Sequence, residues 1–212
     1  MARTDRRLGF AAAGATAFLA LAGLVMAGVF TRSDRYSVHH LMPWLEPSTS
    51  RLINISALFL PETRPSLGGD LVALWTYPAS PFISGLVIVG CAFSVDRRGD
   101  RRAALSMFVL WIVANILELI GKLAISRPAI GVHRFQHSYP SGHTLRGCVI
   151  AAVVTWTWRR AGPAVTLWAL GVPVALVLLG DHTPTDVVGG LLLSSCLIAL
   201  WRARLSLPAR GV

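Results

Sequence analysis

Long uncharged stretches constrain the fold of this chain more than any other feature. Leu8 to Phe30 contains 23 consecutive residues without a formal charge. As an α-helix rising about 1.5 Å per residue, this stretch spans the roughly 30 Å of hydrocarbon in a bilayer. Of the 212 residues, 54% are hydrophobic and 14% are charged, whereas a soluble domain carries about 25% charged residues. The sequence therefore predicts an integral membrane protein.

The apolar runs predict an all-α fold with six membrane-spanning helices. The first is Leu8 to Phe30, and the second lies within Leu71 to Val95. The other predicted spans cover about 103–125, 143–158, 163–179 and 184–201. The segment SDRYSVHHLMPWLEP, which follows the first span, has the composition of an amphipathic helix lying at the membrane interface. We expect residues 1–212 to form one domain.

Basic residues are concentrated in short segments on one side of this six-span arrangement. The N-terminus, 97–102, 159–160 and the tail from 202 hold 12 of the 20 lysines and arginines. Short basic segments stay on the cytoplasmic side of a membrane. The other ends of the helices are therefore predicted to face away from the cytoplasm, in the plasma or inner membrane. The formal charge of +10 is interpreted as a topology signal, and no nucleic-acid partner is expected.

The cysteines and acidic residues indicate neither a disulfide nor a metal site. Cys91, Cys148 and Cys196 lie inside apolar runs and are interpreted as packing residues. The ten acidic residues are scattered along the chain, and no histidine–carboxylate group has the spacing of metal ligands. We expect no metal and no cofactor, and the sequence does not indicate an oligomeric state.

Three polar clusters occur at the predicted outer ends of spans three to six. The first contains Glu118, Lys122 and Arg127-Pro128, and Lys122 is the single lysine beside 19 arginines. The second is YPSGHTLR at 139–146, and the third is GDHTPTD at 180–186. An ionisable group costs about 2.5–3.5 kcal/mol at the centre of a membrane helix. Collecting several such groups at one membrane face therefore indicates a functional site.

Each cluster also has a purely structural explanation. Glu118 and Lys122 are spaced i,i+4, which suits an ordinary ion pair on a helix. Asp186 fits a helix-capping pattern with Thr183, and the Pro-Ser-Gly turn before His143 is typical of a helix start. Two histidines, a lysine and several arginines converging on one face are harder to explain in this way.

Taken together, these groups suit phosphoryl transfer. A phosphate ester needs cations and N–H donors for its oxygens, a nucleophile in line, and an acid for the leaving oxygen. A helix N-terminus after a glycine-containing turn offers N–H groups to an anion, and lysine and arginine supply positive charge. A histidine held by a carboxylate is able to attack phosphorus.

The sequence resembles the type-2 phosphatidic acid phosphatase superfamily, the integral-membrane lipid phosphate phosphatases. Pro140-Ser141-Gly142-His143 matches the second motif of that family. His182 and Asp186 match the end of the third motif, in which three residues separate the histidine from the aspartate. Lys122 and the Arg-Pro that begins at Arg127 match part of the first motif, which is Lys, six residues, Arg-Pro.

This resemblance implies the fold and a role for each matched residue. It covers about 71–201 and implies a bundle of six helices. His182 would be the nucleophile that forms a phosphohistidine, Asp186 would orient it, and His143 would protonate the leaving alcohol. The groups that would hold the phosphate oxygens are Lys122, the Ser141 hydroxyl and the Gly142 N–H.

Two arginines of the family motifs are missing from their expected positions. Ala129 stands where the first-motif arginine belongs, and Ala175-Leu176 replaces the Ser-Arg of the third motif. Arg146 lies three residues after the second-motif histidine, on the same helix face, and is predicted to supply the missing charge. The next candidates for phosphate binding are Arg127 and Arg134.

A structural alternative exists for this arginine as well. Instead of binding a phosphate, Arg146 would extend towards the membrane interface or form an ion pair with Asp181 or Glu118.

The sequence therefore predicts a metal-independent membrane phosphatase that acts at the extracytoplasmic face. Its substrate would be a lipid-linked phosphate or diphosphate, either isoprenoid or glycerophospholipid. Two alternatives stay open: a lipid phosphotransferase, and a non-catalytic membrane protein that binds lipid phosphates.

Overall fold

The computed structural model describes residues 2–45, 66–130 and 135–205. Within these ranges the chain forms eight α-helices and no β-strand. The helices are α1 (Ala2–Met26), α2 (Thr31–His40), α3 (Leu67–Thr76), α4 (Pro81–Asp96), α5 (Arg101–Ala124), α6 (Gly142–Thr157), α7 (Gly162–Leu178) and α8 (Pro184–Leu205). The all-α membrane fold predicted from the apolar runs is confirmed.

Four of the described helices are long and apolar enough to cross a bilayer, namely α1, α5, α7 and α8. Helix α3 with the short turn Tyr77–Ala79, taken together with α4, forms a fifth candidate span that is bent by 47° between Ala79 and Pro81. Pro81 lies at the first position of α4, where its missing N–H and fixed φ are tolerated. The single second span predicted within 71–95 is therefore divided into two helices.

Helix α6 accounts for the difference between six predicted spans and these four or five. Its 16 residues measure about 24 Å as a helix, which is short for a bilayer. Most of its side chains are buried, because α6 packs against α4, α5, α7 and α8. A helix enclosed by its neighbours needs neither the length nor the apolar surface of a lipid-facing span. The crossing of the membrane by α6 stays a prediction.

The core lies where α6 meets its neighbours. Ile88, Met107, Val149 and Leu197 belong to this core and come from α4, α5, α6 and α8. In a bilayer the lipid tails are as apolar as these side chains, so helix association depends on close packing. Small residues permit that packing, and α8 approaches the first turn of α6 at Gly190.

A helix is present at the position predicted for an amphipathic segment. One face of α2 is buried through Asp34, Ser37 and Val38. Val38 packs with Ile130 and Phe135 of the segments between α5 and α6. Helix α2 therefore covers the end of the bundle at which α5 ends and α6 begins.

We predict that Gly190→Ala lowers the thermal stability of the purified protein in detergent. A Cβ at Gly190 would lie 2.6 Å from the Ser141 carbonyl oxygen and 3.0 Å from Thr144 Cβ. Overpacking of this kind costs about 1–3 kcal/mol. Gly90→Ala is the matched control, because a Cβ at Gly90 would meet nothing within 4 Å and alanine is the better helix former. Equal stability of the two variants would contradict the close packing of α6 on α8.

Candidate active site

The three polar clusters of the sequence meet at one end of the helix bundle. The Ser141 N–H donates a 2.9 Å hydrogen bond to the Asp186 carbonyl oxygen, which joins the start of α6 to the start of α8. Arg127, which follows α5, donates to the Asp186 carboxylate. Residues that are far apart in the sequence are therefore held together by direct hydrogen bonds.

A glycine ends α7 and places His182 between α7 and α8. Gly180 has a φ of +69°, a left-handed conformation that glycine adopts at no steric cost. Its N–H donates to the Val177 carbonyl oxygen at 3.0 Å, and the Asp181 N–H donates to the Leu176 carbonyl oxygen at 3.0 Å. This pair of bonds is a Schellman motif, which closes the end of a helix. The chain turns sharply at Gly180, and His182 follows two residues later.

Asp186 is fully buried and accepts hydrogen bonds from three parts of the chain. Its Oδ2 accepts from the Thr183 N–H at 2.9 Å and from the Ser138 hydroxyl at 2.7 Å, and its Oδ1 accepts from Arg127. The bond from Thr183 is half of a capping box at the start of α8. Asp186 therefore does cap α8, as the structural explanation from the sequence proposed. The same carboxylate also faces His182.

His182 lies directly beside this carboxylate. Its Nδ1 is 3.6 Å from Asp186 Oδ2 and finds no hydrogen-bond partner among the described residues. This distance is somewhat long for a hydrogen bond, and catalytic contacts often tighten only when substrate binds. An Nδ1 that faces the carboxylate leaves Nε2 as the nitrogen available for chemistry.

His143 belongs to the same site. It is the second residue of α6 and is partly exposed. It lies close enough to interact electrostatically with His182, Glu118, Lys122 and Arg146. Both histidines and the single lysine therefore belong to one cluster with Glu118 and Arg146, and we call this cluster the pocket.

Glu118 is the anion of this pocket. Its Oε1 accepts a 2.6 Å bond from Lys122 Nζ, and its Oε2 accepts from Arg146. A Cβ at Gly142 would overlap the Glu118 carboxylate, so this carboxylate lies against the first turn of α6. Two cations and a helix N-terminus form a typical environment for an anion, and here a side chain of the protein occupies it.

Arg146 adopts one of the structural alternatives considered from the sequence. It is buried and donates from Nε to the Ala79 carbonyl oxygen at 2.7 Å. Its NH1 group donates to Asn115 Oδ1 at 3.2 Å and to Glu118. Arg146 is therefore ion-paired with Glu118 at the edge of the pocket, and phosphate binding by Arg146 stays a prediction.

Arg127 is also buried and ion-paired. Its NH1 group donates to Asp34 at 2.8 Å and to the Thr183 hydroxyl at 2.9 Å, and its NH2 group donates to Asp186. Phosphate binding by Arg127 stays a prediction too. Arg134, the third candidate, lies outside the described residues.

Comparisons with known proteins agree with the motifs. The model of the PAP2 superfamily matches residues 55–206, which is well over half of the chain. This chain belongs to the PAP2 superfamily. No curated protein gives a match.

A solved structure shares the fold of this PAP2-superfamily chain. It is described as the crystal structure of the first transmembrane PAP2 type phosphatidylglycerolphosphate phosphatase from Bacillus subtilis. The two chains are 21% identical, with a TM-score of 0.68, and the alignment covers 95% of this chain and 98% of the other.

The two motif positions that lack an arginine have different surroundings in this PAP2-superfamily chain. Leu176 is almost fully buried and packs with Val172 and Val187, so the third-motif arginine position has become part of the apolar core. Ala129 is exposed and leaves Arg127, two residues earlier, as the arginine nearest to Asp186. The positive charge of the site is therefore distributed differently from the family pattern.

Sequence reasoning missed Asp34, which lies on α2 and before the region that the family model matches. The Asp34 carboxylate is buried and accepts from Arg127 and, at 2.8 Å, from the Thr185 hydroxyl. Burial raises the pKa of Asp34, and the bond from Thr185 and the charge of Arg127 oppose that shift. One feature of the sequence does indicate burial of Asp34. Asp34 and Val38 are spaced i,i+4, so they lie on the same face of α2, and Val38 is apolar.

The described residues contain no group of three or more His, Cys, Asp or Glu side chains arranged to hold a metal ion. Lys122 and Arg146 supply positive charge around Glu118. Independence from a metal stays a prediction.

We predict that Glu118→Gln destabilises the protein and that inorganic phosphate restores part of the loss. The substitution leaves the buried Arg146 without its charged partner, which costs about 3–5 kcal/mol in comparable pairs. Phosphate would take the place of the lost carboxylate, and a ligand that binds only the folded state raises its stability. Thermal unfolding in detergent measures both effects.

Chloride at the same ionic strength is the control for this experiment. Phosphate should stabilise Glu118→Gln more than it stabilises the unchanged protein. Equal stabilisation of both proteins would mean that the Glu118 carboxylate does not occupy an anion site.

Proposed function

We propose that this protein is a membrane-bound phosphatase that hydrolyses a lipid-linked phosphate or diphosphate. The proposal is carried by the pocket in which His182, backed by Asp186, shares its surroundings with His143 and Lys122. Membership of the PAP2 superfamily and the phosphatidylglycerolphosphate phosphatase activity of the structurally similar protein support a lipid phosphate as the substrate class. Both isoprenoid and glycerophospholipid phosphates fit this class.

In the proposed first step, His182 Nε2 attacks the phosphorus atom in line with the leaving oxygen. A P–N bond forms while the P–O bond to the alcohol breaks, and His143 gives its proton to the departing oxygen. Asp186 holds the Nδ1–H of His182 and stabilises the positive charge that develops on the ring. The products of this step are the free alcohol and a phosphohistidine.

In the second step a water molecule attacks the phosphohistidine. His143 now lacks its proton and accepts one from the water, so the same residue acts first as acid and then as base. The P–N bond breaks, inorganic phosphate leaves, and His182 and His143 return to their starting states.

The phosphate oxygens would be held by Lys122, the Ser141 hydroxyl and the Gly142 N–H, with Arg146 and Arg127 nearby. The side chain of Lys122 is 35% exposed, so it is the most accessible of the three cations. The Ser141 hydroxyl now caps α6 by accepting from the Thr144 N–H and hydroxyl. Cationic side chains and N–H donors stabilise the charge of the transition state, and we propose that they do so without a metal ion.

We propose further that the pocket faces away from the cytoplasm, as in a plasma or inner membrane. Helix α5 carries Lys122 near its end and begins at Arg101, about 30 Å away along the helix. Helix α8 starts at the pocket and has Arg202 and Arg204 in its last turn. Arg101, Arg202 and Arg204 therefore lie at the end of the bundle opposite the pocket, and such residues favour the cytoplasmic side.

A second candidate function has one observation in its favour. Leu176 packs in the core at the position of a family arginine, which reduces the charge available for catalysis. A non-catalytic protein that binds lipid phosphates would tolerate this loss. A phosphotransferase would use the same first step and pass the phosphoryl group to an alcohol instead of water.

We predict that His182→Ala loses phosphate release by about a thousandfold or more, because the nucleophile is gone. The measurement is phosphate release by purified protein from isoprenyl and glycerolipid phosphates, with EDTA present throughout. His39→Ala is the matched control, since His39 is exposed on α2, and it should retain normal activity.

Several outcomes would change this assignment. Substantial activity in His182→Ala would reject the nucleophile. No activity in the unchanged protein on any substrate would favour the binding protein, and activity that appears only after a divalent cation replaces EDTA would contradict metal independence.

Thiol labelling tests the predicted orientation. In a background without the three native cysteines, Ala129→Cys should react with a membrane-impermeant reagent added to intact cells, because this exposed residue follows α5 at the pocket end. Arg160→Cys, exposed between α6 and α7 at the opposite end, should react only after the cells are permeabilised. The reverse pattern would place the pocket in the cytoplasm.

A further inference from the structure

Arg127 lies between two buried carboxylates from different parts of the chain. One is Asp186 at the start of α8, and the other is Asp34 on α2. Side-chain exposure is 3% for Arg127, 4% for Asp34 and 0% for Asp186. This arrangement is not a surface ion pair, which would contribute little, because all three groups are enclosed by protein.

We infer that Asp34 is a positioning residue for the reaction, which acts through Arg127 on the Asp186 carboxylate that orients His182. The inference rests on the proposed function. The family model begins at residue 55, so the family match assigns no role to Asp34.

The hydrogen bonds fix the orientation of each group in this chain of contacts. Asp34 Oδ2 accepts from Arg127 NH1 and from the Thr185 hydroxyl, both at 2.8 Å. The Arg127 NH2 group donates to Asp186 Oδ1, while Asp186 Oδ2 faces His182. A planar guanidinium held at both ends cannot rotate freely, so Asp34 determines how Arg127 meets Asp186.

The charges explain why a carboxylate is needed at position 34. The Arg127 cation is shared between Asp34 and Asp186, and the three groups together carry one net negative charge. Without the negative charge of Asp34, the full charge of Arg127 would act on Asp186 in a medium of low dielectric constant. Asp186 would then be a weaker acceptor for the positive ring of His182. Asp34 therefore preserves the negative charge that the nucleophile requires.

Anchoring of α2 alone does not account for Asp34. Val38 and Met42 already pack against Ile130 and Phe135, and these apolar contacts hold α2 on the bundle. A buried ion pair is a weak source of stability compared with apolar packing, because both charges lose their hydration. The burial of Asp34 beside Arg127 is thus better explained by its effect on Asp186.

The primary test is Asp34→Asn, which keeps the shape of the side chain and removes its charge. We expect kcat to fall about ten- to a hundredfold, equivalent to about 1.4–2.7 kcal/mol, while KM stays within about twofold. Arg35→Gln removes a charge from the exposed face of the same helix and should leave both constants unchanged. An unchanged kcat in Asp34→Asn, or a higher KM with normal kcat, would overturn the inference.

A double-variant cycle tests whether Asp34 acts through Arg127. Combined with Arg127→Gln, the Asp34→Asn change should produce no further loss of kcat, because the intermediary is gone. If Arg127→Gln has too little activity to measure, Arg127→Lys, which keeps a charge but not the two-ended geometry, replaces it in the cycle. Losses that multiply would show that Asp34 acts independently and would also overturn the inference.

A milder variant covers the case in which Asp34→Asn does not fold. Thr185→Val retains the shape of the threonine and removes the hydroxyl that donates to Asp34, so kcat should fall by less than in Asp34→Asn and KM should again stay constant. Normal kcat in a folded Thr185→Val would then count against the inference. The unchanged protein is assayed beside every variant, and its inactivity on all substrates would be a failure of the proposed function instead.

Discussion

The geometry of the pocket depends on one buried carboxylate. The side chain of Asp186 accepts from Arg127, Ser138 and Thr183, and its backbone carbonyl accepts from Ser141. Burial of an unpaired carboxylate in an apolar environment costs a large amount of free energy. Each donor to the Asp186 carboxylate offsets part of that cost. The segment after α5, the start of α6 and the start of α8 are thereby joined at a single point.

The packing and the ends of the helices hold these polar residues in position. Helix α6 is short and enclosed, so its first turn lies within the bundle, and Gly190 lets the backbone of α8 approach the Ser141 carbonyl. Gly180 ends α7 so that the chain reverses two residues before His182. Close packing through small residues favours association of membrane helices, and here it holds the start of α6 against α8.

Much of this was predictable because membrane helices and short motifs are local features. Uncharged runs identified most helices, and the family motifs named residues from Lys122 to Asp186 that the fold brings to one end of the bundle. Their roles stay predictions. For Arg146 the sequence named Glu118 as one of two possible partners, and the structure has that pair. The partners of Arg127 were not predictable, since spacing gives the face of a helix but not which neighbouring acid lies opposite. Asp34 and Thr185 are 151 positions apart, and only the folding of α2 onto α8 brings them together.

The position of Glu118 has a consequence for selectivity among anions. Its carboxylate is tethered beside Lys122 and Gly142, and a tethered group competes at an effective concentration in the millimolar range or above. A dilute monovalent anion does not displace the Glu118 carboxylate, because both carry a single negative charge and attract the cations equally. A phosphate monoester, with nearly two negative charges, is attracted more strongly. If the proposed function is correct, the Glu118 side chain therefore makes the site selective for divalent over monovalent anions.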